Sequence, residues 1–491
     1  MRKYFINIFT ALIIVILLFP ACSTISNVEE NAAEKALPTL KVTAFKVDTE
    51  KFDGEMIAKA LDDYASALVG AHIDLQYVEH ERYDQVFNKY AVSDSLPDVF
   101  FLLSKDLANT LQKSGDLMPL DALIEDYGQG IIDSVDPDFL KVYLQGGITY
   151  AVPTVRDMAR SMSFEYRVSI AEEYGIDMSS IKNYTDLTGV FSHLVDSNAD
   201  IIPISSHNFT SWDPMGDELG VLLNYGQDTT VVNLYETAEY EEYCRTISEW
   251  SHEKFLLDTD ASTVAINNFV RTPEIFGKRA GYWPGLPYVD SVDADDVIAC
   301  AQFSDPYLYW DDLKRYAWGI SSDCEHPEAA MKFLNLMYSD PYVINLLAYG
   351  IEGVHYEIID EKNGIIDFPP GVDVNTSGYA QFRGMQYGNL LIGYAWNGYP
   401  ADVWEQTREF NNNAKRSMAF GFDYDKSPVT DEVYRCEKVV NEYACILDAG
   451  AGNASDILAR FRSELKTAGI DKIVAEKQRQ LDAWLSDRGE S

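Results

Sequence analysis

From Leu40 to Phe45 apolar and polar positions alternate, which is the two-residue period of a strand. Met56, Ile57, Ala60, Leu61, Tyr64 and Leu68 then recur at helical intervals, as on one face of a helix. Alternation returns from Ile73 to Val78, and a second helical stripe follows in Tyr83, Val86, Phe87 and Tyr90. Val99 to Leu103 is a continuous apolar run, the signature of a strand buried on both faces. Strand, helix, strand, helix, strand at this spacing predicts an α/β unit with a parallel sheet. Stripes from Asp106 to Gln112 and from Leu120 to Tyr127 predict helices. Gly146-Gly147 turns the chain into a strand from Ile148 to Val152, ended by Pro153.

The middle of the chain mixes the two periods. Helices are predicted from Val168 to Tyr174, Asp186 to Val195, Tyr235 to Lys254 and Thr259 to Arg271. Short strands are predicted at Ile201 to Ser205, Arg279 to Trp283, Val297 to Phe303 and Tyr316 to Ile320. Helices return from Pro327 to Tyr338, with proline in the tolerated first turn, and from Tyr342 to Tyr349. Beyond Asn397 the pattern is mostly helical: Ala401 to Met418, Asp431 to Ala449, Ser455 to Ala468 and Asp471 to Leu485. The predicted architecture is two α/β lobes with more than one chain crossover, followed by a helical C-terminal region. Ligands in such sheets sit at the carboxyl ends of strands and in clefts between domains.

Composition narrows the function. A chain of 491 residues exceeds the roughly 250–300 at which one core stops growing, so at least two domains are expected. A formal charge of −39 repels nucleic acid and leaves no polybasic membrane patch. Arg2 and Lys3 precede an apolar run from Phe5 to Phe19, shorter than the roughly 20 residues of a membrane span and laid out like a secretory signal. Phe19-Pro20-Ala21-Cys22 resembles a bacterial lipobox, although Phe19 and Pro20 depart from its usual residues. Residues 1–22 are therefore expected to be a lipoprotein signal peptide, with Cys22 the lipidated residue and acyl chains as the membrane tether. Residues 23–37 are expected to be a linker. The other five cysteines contain no C-x-x-C, and either free thiols or a Cys436–Cys445 bridge fits, with free thiols favoured. The seven histidines show no metal-ligand spacing, and no metal or cofactor is expected.

Local patterns resemble the extracellular solute-binding proteins of bacterial sugar importers. They are Leu96-Pro-Asp-Val-Phe100, Gly115-Asp-Leu-Met-Pro-Leu-Asp121, Gly147-Ile-Thr-Tyr-Ala-Val-Pro153, the stretch from Tyr166 to Asp177, and Ala317-Trp-Gly-Ile-Ser-Ser322 followed by His326 to Leu334. Leu347 to Tyr356 resembles the Y-G-I-E-G-x-H-Y segment of LipO-type binding lipoproteins, in which a C-terminal domain of unknown function follows. The resemblance implies a type II periplasmic-binding-protein-like fold. Two lobes in residues 38–350 would close on a solute, and residues 351–491 would form a mostly helical domain packed on them. It also implies a monomer that captures a carbohydrate, here expected to be an oligosaccharide, and an ABC permease as partner.

A sugar offers apolar C–H faces and a ring of hydroxyls, so aromatic rings beside carboxylate and guanidinium groups suit it. Loop aromatics supply the first set of candidates: Trp212, Trp283 and Tyr288 around Pro284-Gly285-Leu286-Pro287, Trp310, and Trp396 between Tyr394 and Tyr399. Asp48 after the first strand, Asp98, and Arg156 with Asp157 at a predicted crossover are the polar candidates. Glu352 and His355 are expected to serve a structural hydrogen-bond network, and Arg279 to pair with a carboxylate. Two rival readings are a secreted glycoside-processing enzyme and the binding subunit of a surface sensor. With 78 acidic residues a carboxylate pair is always found, so that feature decides nothing, and no G-x-S-x-G elbow is present.

Overall fold

The computed structural model describes residues 37–46, 51–92, 96–197, 200–257, 269–294, 296–374, 376–379 and 384–488. The signal and linker, Cys22, Asp48 and most of the helix expected from Thr259 lie outside them. Residues 38–491 form one unit.

Strand β1 (Thr39–Lys46) pairs in parallel with β2 (His72–Glu79) and with β3 (Val99–Leu102). Parallel neighbours need a crossover, and the helix Gly54–Val69 supplies the first, ending at Gly70 with φ 79°. The helix Tyr83–Val92 supplies the second, and after β3 Ser104 caps the helix Lys105–Ser114 by accepting the Leu107 N–H. A small hairpin of β4 (Leu144–Gln145) and β5 (Ile148–Thr149) precedes β6 (Val152–Pro153).

The chain then leaves this lobe. β7 (Ser161–Arg167), β8 (Ile202–Ile204), β9 (Ile275–Tyr282) and β10 (Ile298–Gln302) form a second sheet in the order β10-β7-β9-β8. A short β11 (Tyr307–Leu308) follows. β12 (Ala317–Ile320) returns to the first sheet, antiparallel between β3 and β6, completing the order β2-β1-β3-β12-β6. The helices Pro327–Ser339 and Pro341–Tyr349 cover it.

Residues 357–396 are strand and loop: β13 (Glu357–Asp360), β14 (Ile365–Asp367) and β15 (Ala395–Trp396) make a separate sheet. The helix Val403–Asn412 leads to β16 (Lys415–Arg416), which pairs with β11. The helix expected to reach Met418 thus stops early. Three tail helices follow, Thr430–Asp448, Ala454–Ala468 and Ile470–Asp487.

Each lobe has its own core. Phe45, Phe100, Phe101, Trp318 and Met337 are buried in the first lobe, and Phe164, Phe191, Trp250 and Phe276 in the second. The tail helices contribute Cys436, Phe461, Leu465 and Ile473 to the second core, so the tail is an extension of that lobe. Among the described residues no helix is long and apolar enough to cross a membrane. All five described cysteines are free thiols.

Candidate functional site

Three segments cross between the sheets: 154–160, 303–316 and 397–415. They lie side by side, with Arg160 bridged to Tyr307 and β11 paired with β16. Each crossing leaves from the carboxyl ends of β6, β10 and β15. The carboxyl ends of β1, β3, β8 and β9 lie on the same side, where open α/β sheets hold ligands.

At this seam an aromatic slot is lined by Asp157, Trp283, Tyr349, Met385, Leu390, Trp396, Tyr399 and Trp404. It draws on both lobes and on two crossings. Trp283 and Trp404 lie parallel, 3° apart with centroids at 6.4 Å, and Tyr399 stands 6.4 Å from Trp283 and 6.2 Å from Trp404. The Trp404 indole and the Tyr349 hydroxyl both donate to the Tyr394 carbonyl, at 3.0 and 2.7 Å. Gly285 is required here, because a Cβ would sit 2.1 Å from the Trp283 ring. The slot is narrow and admits about one water molecule.

Asp157 joins the slot to a polar wall. Arg156 donates to the Asp157 carbonyl at 2.9 Å and to its carboxylate at 3.2 Å, and lies over the Tyr316 ring. Arg160 pairs with Asp312 at 3.3 Å, and the Asp312 charge holds its guanidinium in the charged form. Arg279 is close enough to Tyr307, Arg160, Asp312 and Tyr309 to feel each of them, while burial lowers its pKa. No ion pair joins Arg279 to a carboxylate among the described residues, contrary to the expected pairing. Burial pushes the Asp213 carboxyl up to about 6, against the Ser417 hydroxyl and the Met215 N–H, which favour its charged form. Thr154 Oγ1, Arg156 Nε, Ser205 Oγ, Arg279 Nε, Tyr309 OH and Asp312 Oδ2 are buried with no hydrogen-bond partner. Buried polar groups are nearly always bonded, so these atoms have bonding capacity left for waters or a ligand.

Of the residues expected from sequence, the structure brings Arg156, Asp157, Trp283 and Trp396 together. Tyr288 is exposed at the rim, its ring 6.3 Å from Tyr399. Trp212 is buried in the core of the second lobe. Trp310 is buried against Phe420 and donates to Asp423 at 3.2 Å. Asp98 lies at the amino end of β3, away from the slot, where it accepts the Lys41 N–H at 2.8 Å. His355 serves a network, as expected: its Nδ1 accepts the Ile351 N–H at 2.9 Å, which leaves Nε2 to donate to Asp53 at 3.3 Å. Trp404, Tyr349, Arg160 and Asp312 were not foreseen. Trp404 carried the one usable signal, an aromatic residue close behind the Tyr394 to Tyr399 cluster. Among the described residues no group of His, Cys, Asp or Glu side chains is placed to hold a metal ion.

A family model described as bacterial extracellular solute-binding protein matches residues 49–344, and a domain of unknown function (DUF3502) matches residues 418–486. A carbohydrate ABC transporter substrate-binding protein of Streptococcus pneumoniae is 24% identical over 482 residues, covering 95% of each chain. The crystal structure of the N-glycan transport solute binding protein NgtS from S. pneumoniae superposes with a TM-score of 0.81 at 22% identity, over 92% of this chain and 100% of that one. The same protein in complex with Man1GlcNAc gives 0.72 at 22% identity, over 91% and 100%. The chain belongs to the bacterial extracellular solute-binding proteins, transport components that bind a solute rather than convert it, and not to the glycoside-processing enzymes that its composition left open.

Proposed function

We propose that the protein captures an oligosaccharide in the interlobe seam and presents it to an ABC permease, held at the outer membrane face by lipid on Cys22. The observation that carries this reading is the joining, at Asp157, of an aromatic slot to a wall of orphaned polar groups between two separate cores. Aromatic faces suit the C–H face of a sugar ring, and the guanidinium, phenol and carboxylate groups suit its hydroxyls. The relatives add support: the S. pneumoniae homologue is a carbohydrate transporter component, and NgtS has been crystallised with Man1GlcNAc.

In this mechanism the lobes turn about the three crossings. Solute contacts both lobes only when they are closed, so binding shifts the population toward closure. The narrowness of the slot then requires Trp283, on the second lobe, to move relative to Trp396 on the first before a sugar ring can enter.

Thermal shift and calorimetry with Man1GlcNAc, Man5GlcNAc, kestose and a set of amino acids test the reading. An oligosaccharide should raise the melting temperature without being cleaved. Tyr399→Ala should weaken its binding by about 10–100-fold, the cost of losing a buried aromatic contact. Stabilisation by amino acids alone, or cleavage of the sugar, would overturn it. Palmitate labelling that persists in Cys22→Ser would remove the anchor.

A further inference from the structure

The match to a domain of unknown function leaves the three tail helices without a task. The loop 211–226 of the second lobe points to one. It is closed by the bridge between Asp213 and Leu222, whose N–H and C=O groups are exchanged at 2.8 and 3.0 Å. Within it Met215, Asn224 and Tyr225 hold the left-handed conformation, with φ of 47°, 52° and 53°. For residues that carry a Cβ this conformation is strained and persists only where the surroundings over-determine it.

The tail supplies those surroundings. Lys477, in the middle of the last helix, is fully buried. Its ammonium is shared among the carbonyls of Pro214 (3.2 Å), Asp217 (3.3 Å) and Gly220 (2.8 Å), and pairs with Asp217 Oδ1 at 2.9 Å. It also lies over the Tyr424 ring at 4.8 Å. A buried ammonium is costly unless every N–H is bonded, and here each acceptor belongs to this one loop. Beside it Met215, Leu222 and Val231 pack with Ala419, Phe422, Leu481 and Leu485 of the tail.

The other side of the loop faces the seam. Asp213 adjoins Tyr309 and Asp312 of the polar wall, and Tyr225 packs on Tyr307 of β11 at 4.8 Å.

We propose that the C-terminal domain is a clamp that holds the strained loop 211–226 against the solute cleft, with Lys477 as the positioning residue. The inference rests on the reading of the seam as the solute site. Lys477 touches no solute; it fixes the backbone that carries Asp213 and Tyr225.

The test compares the mature chain with Lys477→Met, which keeps the side-chain length and loses the donors, and with the milder Asp217→Asn. Hydrogen exchange needs no ligand. Amides of 211–226 should exchange about tenfold faster in Lys477→Met and several-fold faster in Asp217→Asn, with β7, β9 and β10 unchanged. Calorimetry with whichever of Man1GlcNAc, Man5GlcNAc or kestose binds the parent should show Kd weakened about tenfold per folded molecule in Lys477→Met. A purely structural role would lower the melting temperature and leave that Kd alone. Parental exchange rates in the loop overturn the clamp, and faster exchange with an unchanged Kd overturns its role in capture. A parent that binds none of the three sugars counts against the solute reading, and exchange alone then decides the clamp. Should Lys477→Met fail to fold, Asp217→Asn carries both measurements.

Discussion

Glu165 is fully buried in the middle of β7, 3.1 Å from the Lys278 ammonium, which also meets Asp290 at 2.8 Å. Two carboxylates thus share one cation. Burial pushes the Glu165 carboxyl up to about 8, with Lys278 pulling it down and Asp290 adding to the rise. A carboxyl whose folded pKa is raised binds its proton more tightly in the folded state. Its contribution to stability is complete below the ordinary value near 4.5 and is lost as pH rises through about 8. The parent should therefore lose on the order of 1 kcal/mol from this group between pH 7 and pH 9. Glu165→Gln, which has the same shape and no charge, should flatten that slope. Melting curves from pH 6 to 9.5 check this, and parallel slopes for parent and variant would refute it.

At the scale of elements, Asn411 closes the helix Val403–Asn412 onto the first crossing. Its Oδ1 accepts the N–H groups of Met158 (3.1 Å) and Ala159 (2.9 Å), and its Nδ2 donates to the Arg156 carbonyl at 2.7 Å. One side chain thus serves the stretch between the bridged residues Val155 and Arg160. Asn411→Ala leaves those groups unbonded and should cost roughly 1–3 kcal/mol, with Asn411→Asp, which keeps both acceptor bonds, losing less. Equal melting temperatures for the two variants would show that the acceptor bonds carry nothing. Elements like this explain what the sequence could and could not tell. β1 to β3 were legible because alternation and an apolar run match their burial. β7 was not, because both its faces are buried although every second residue is polar: Ser161 and Ser163 bond the Ser304 and Ala280 carbonyls, and Glu165 and Arg167 pair with Lys278 and Asp296. β16 was lost inside an expected helix because its pairing with β11 is purely tertiary. In the candidate site, Arg156, Asp157, Trp283 and Trp396, which the structure brings together, followed from crossover and loop position. Trp212 and Trp310 sat in similar loops, but other parts of the fold bury them: the second core covers Trp212, and Phe420, distant in sequence, covers Trp310.

The whole molecule is two lobes, three crossings and a tail carried by the second lobe, so any contact from the tail to the first lobe bears on opening and closing. Asp423 makes such a contact. Its Oδ1 meets Lys105 and Lys314, each at 2.6 Å, and accepts the Trp310 indole N–H at 3.2 Å. The helix of Lys105 and the crossing residue Trp310 pack in the first core, whereas Phe422 beside Asp423 packs with Leu481 and Leu485 of the tail. Lys105 stands at the first position of its helix, where the macrodipole disfavours a cation. Burial and the neighbouring Lys314 charge both lower its pKa, and Asp423 opposes them. Lys314 is shared between Asp311 and Asp423, whereas Lys105 meets Asp423, so the tail carboxylate ties both cations to the tail. Asp423→Asn should remove that tie and let the lobes move apart. The expected result is a larger radius of gyration than the parent's by solution X-ray scattering at low salt, the difference closing as salt screens the parent's latch. Because Asp423 is half exposed, the stability cost should stay near about 1 kcal/mol. The sign follows from the loss of attraction: a neutral side chain at 423 no longer ties the tail to Lys105 and Lys314, so the variant should show little salt dependence while the parent moves toward it as salt rises. Superimposable scattering curves for parent and variant at every salt concentration would mean that the tail exerts no control over the lobes through this residue.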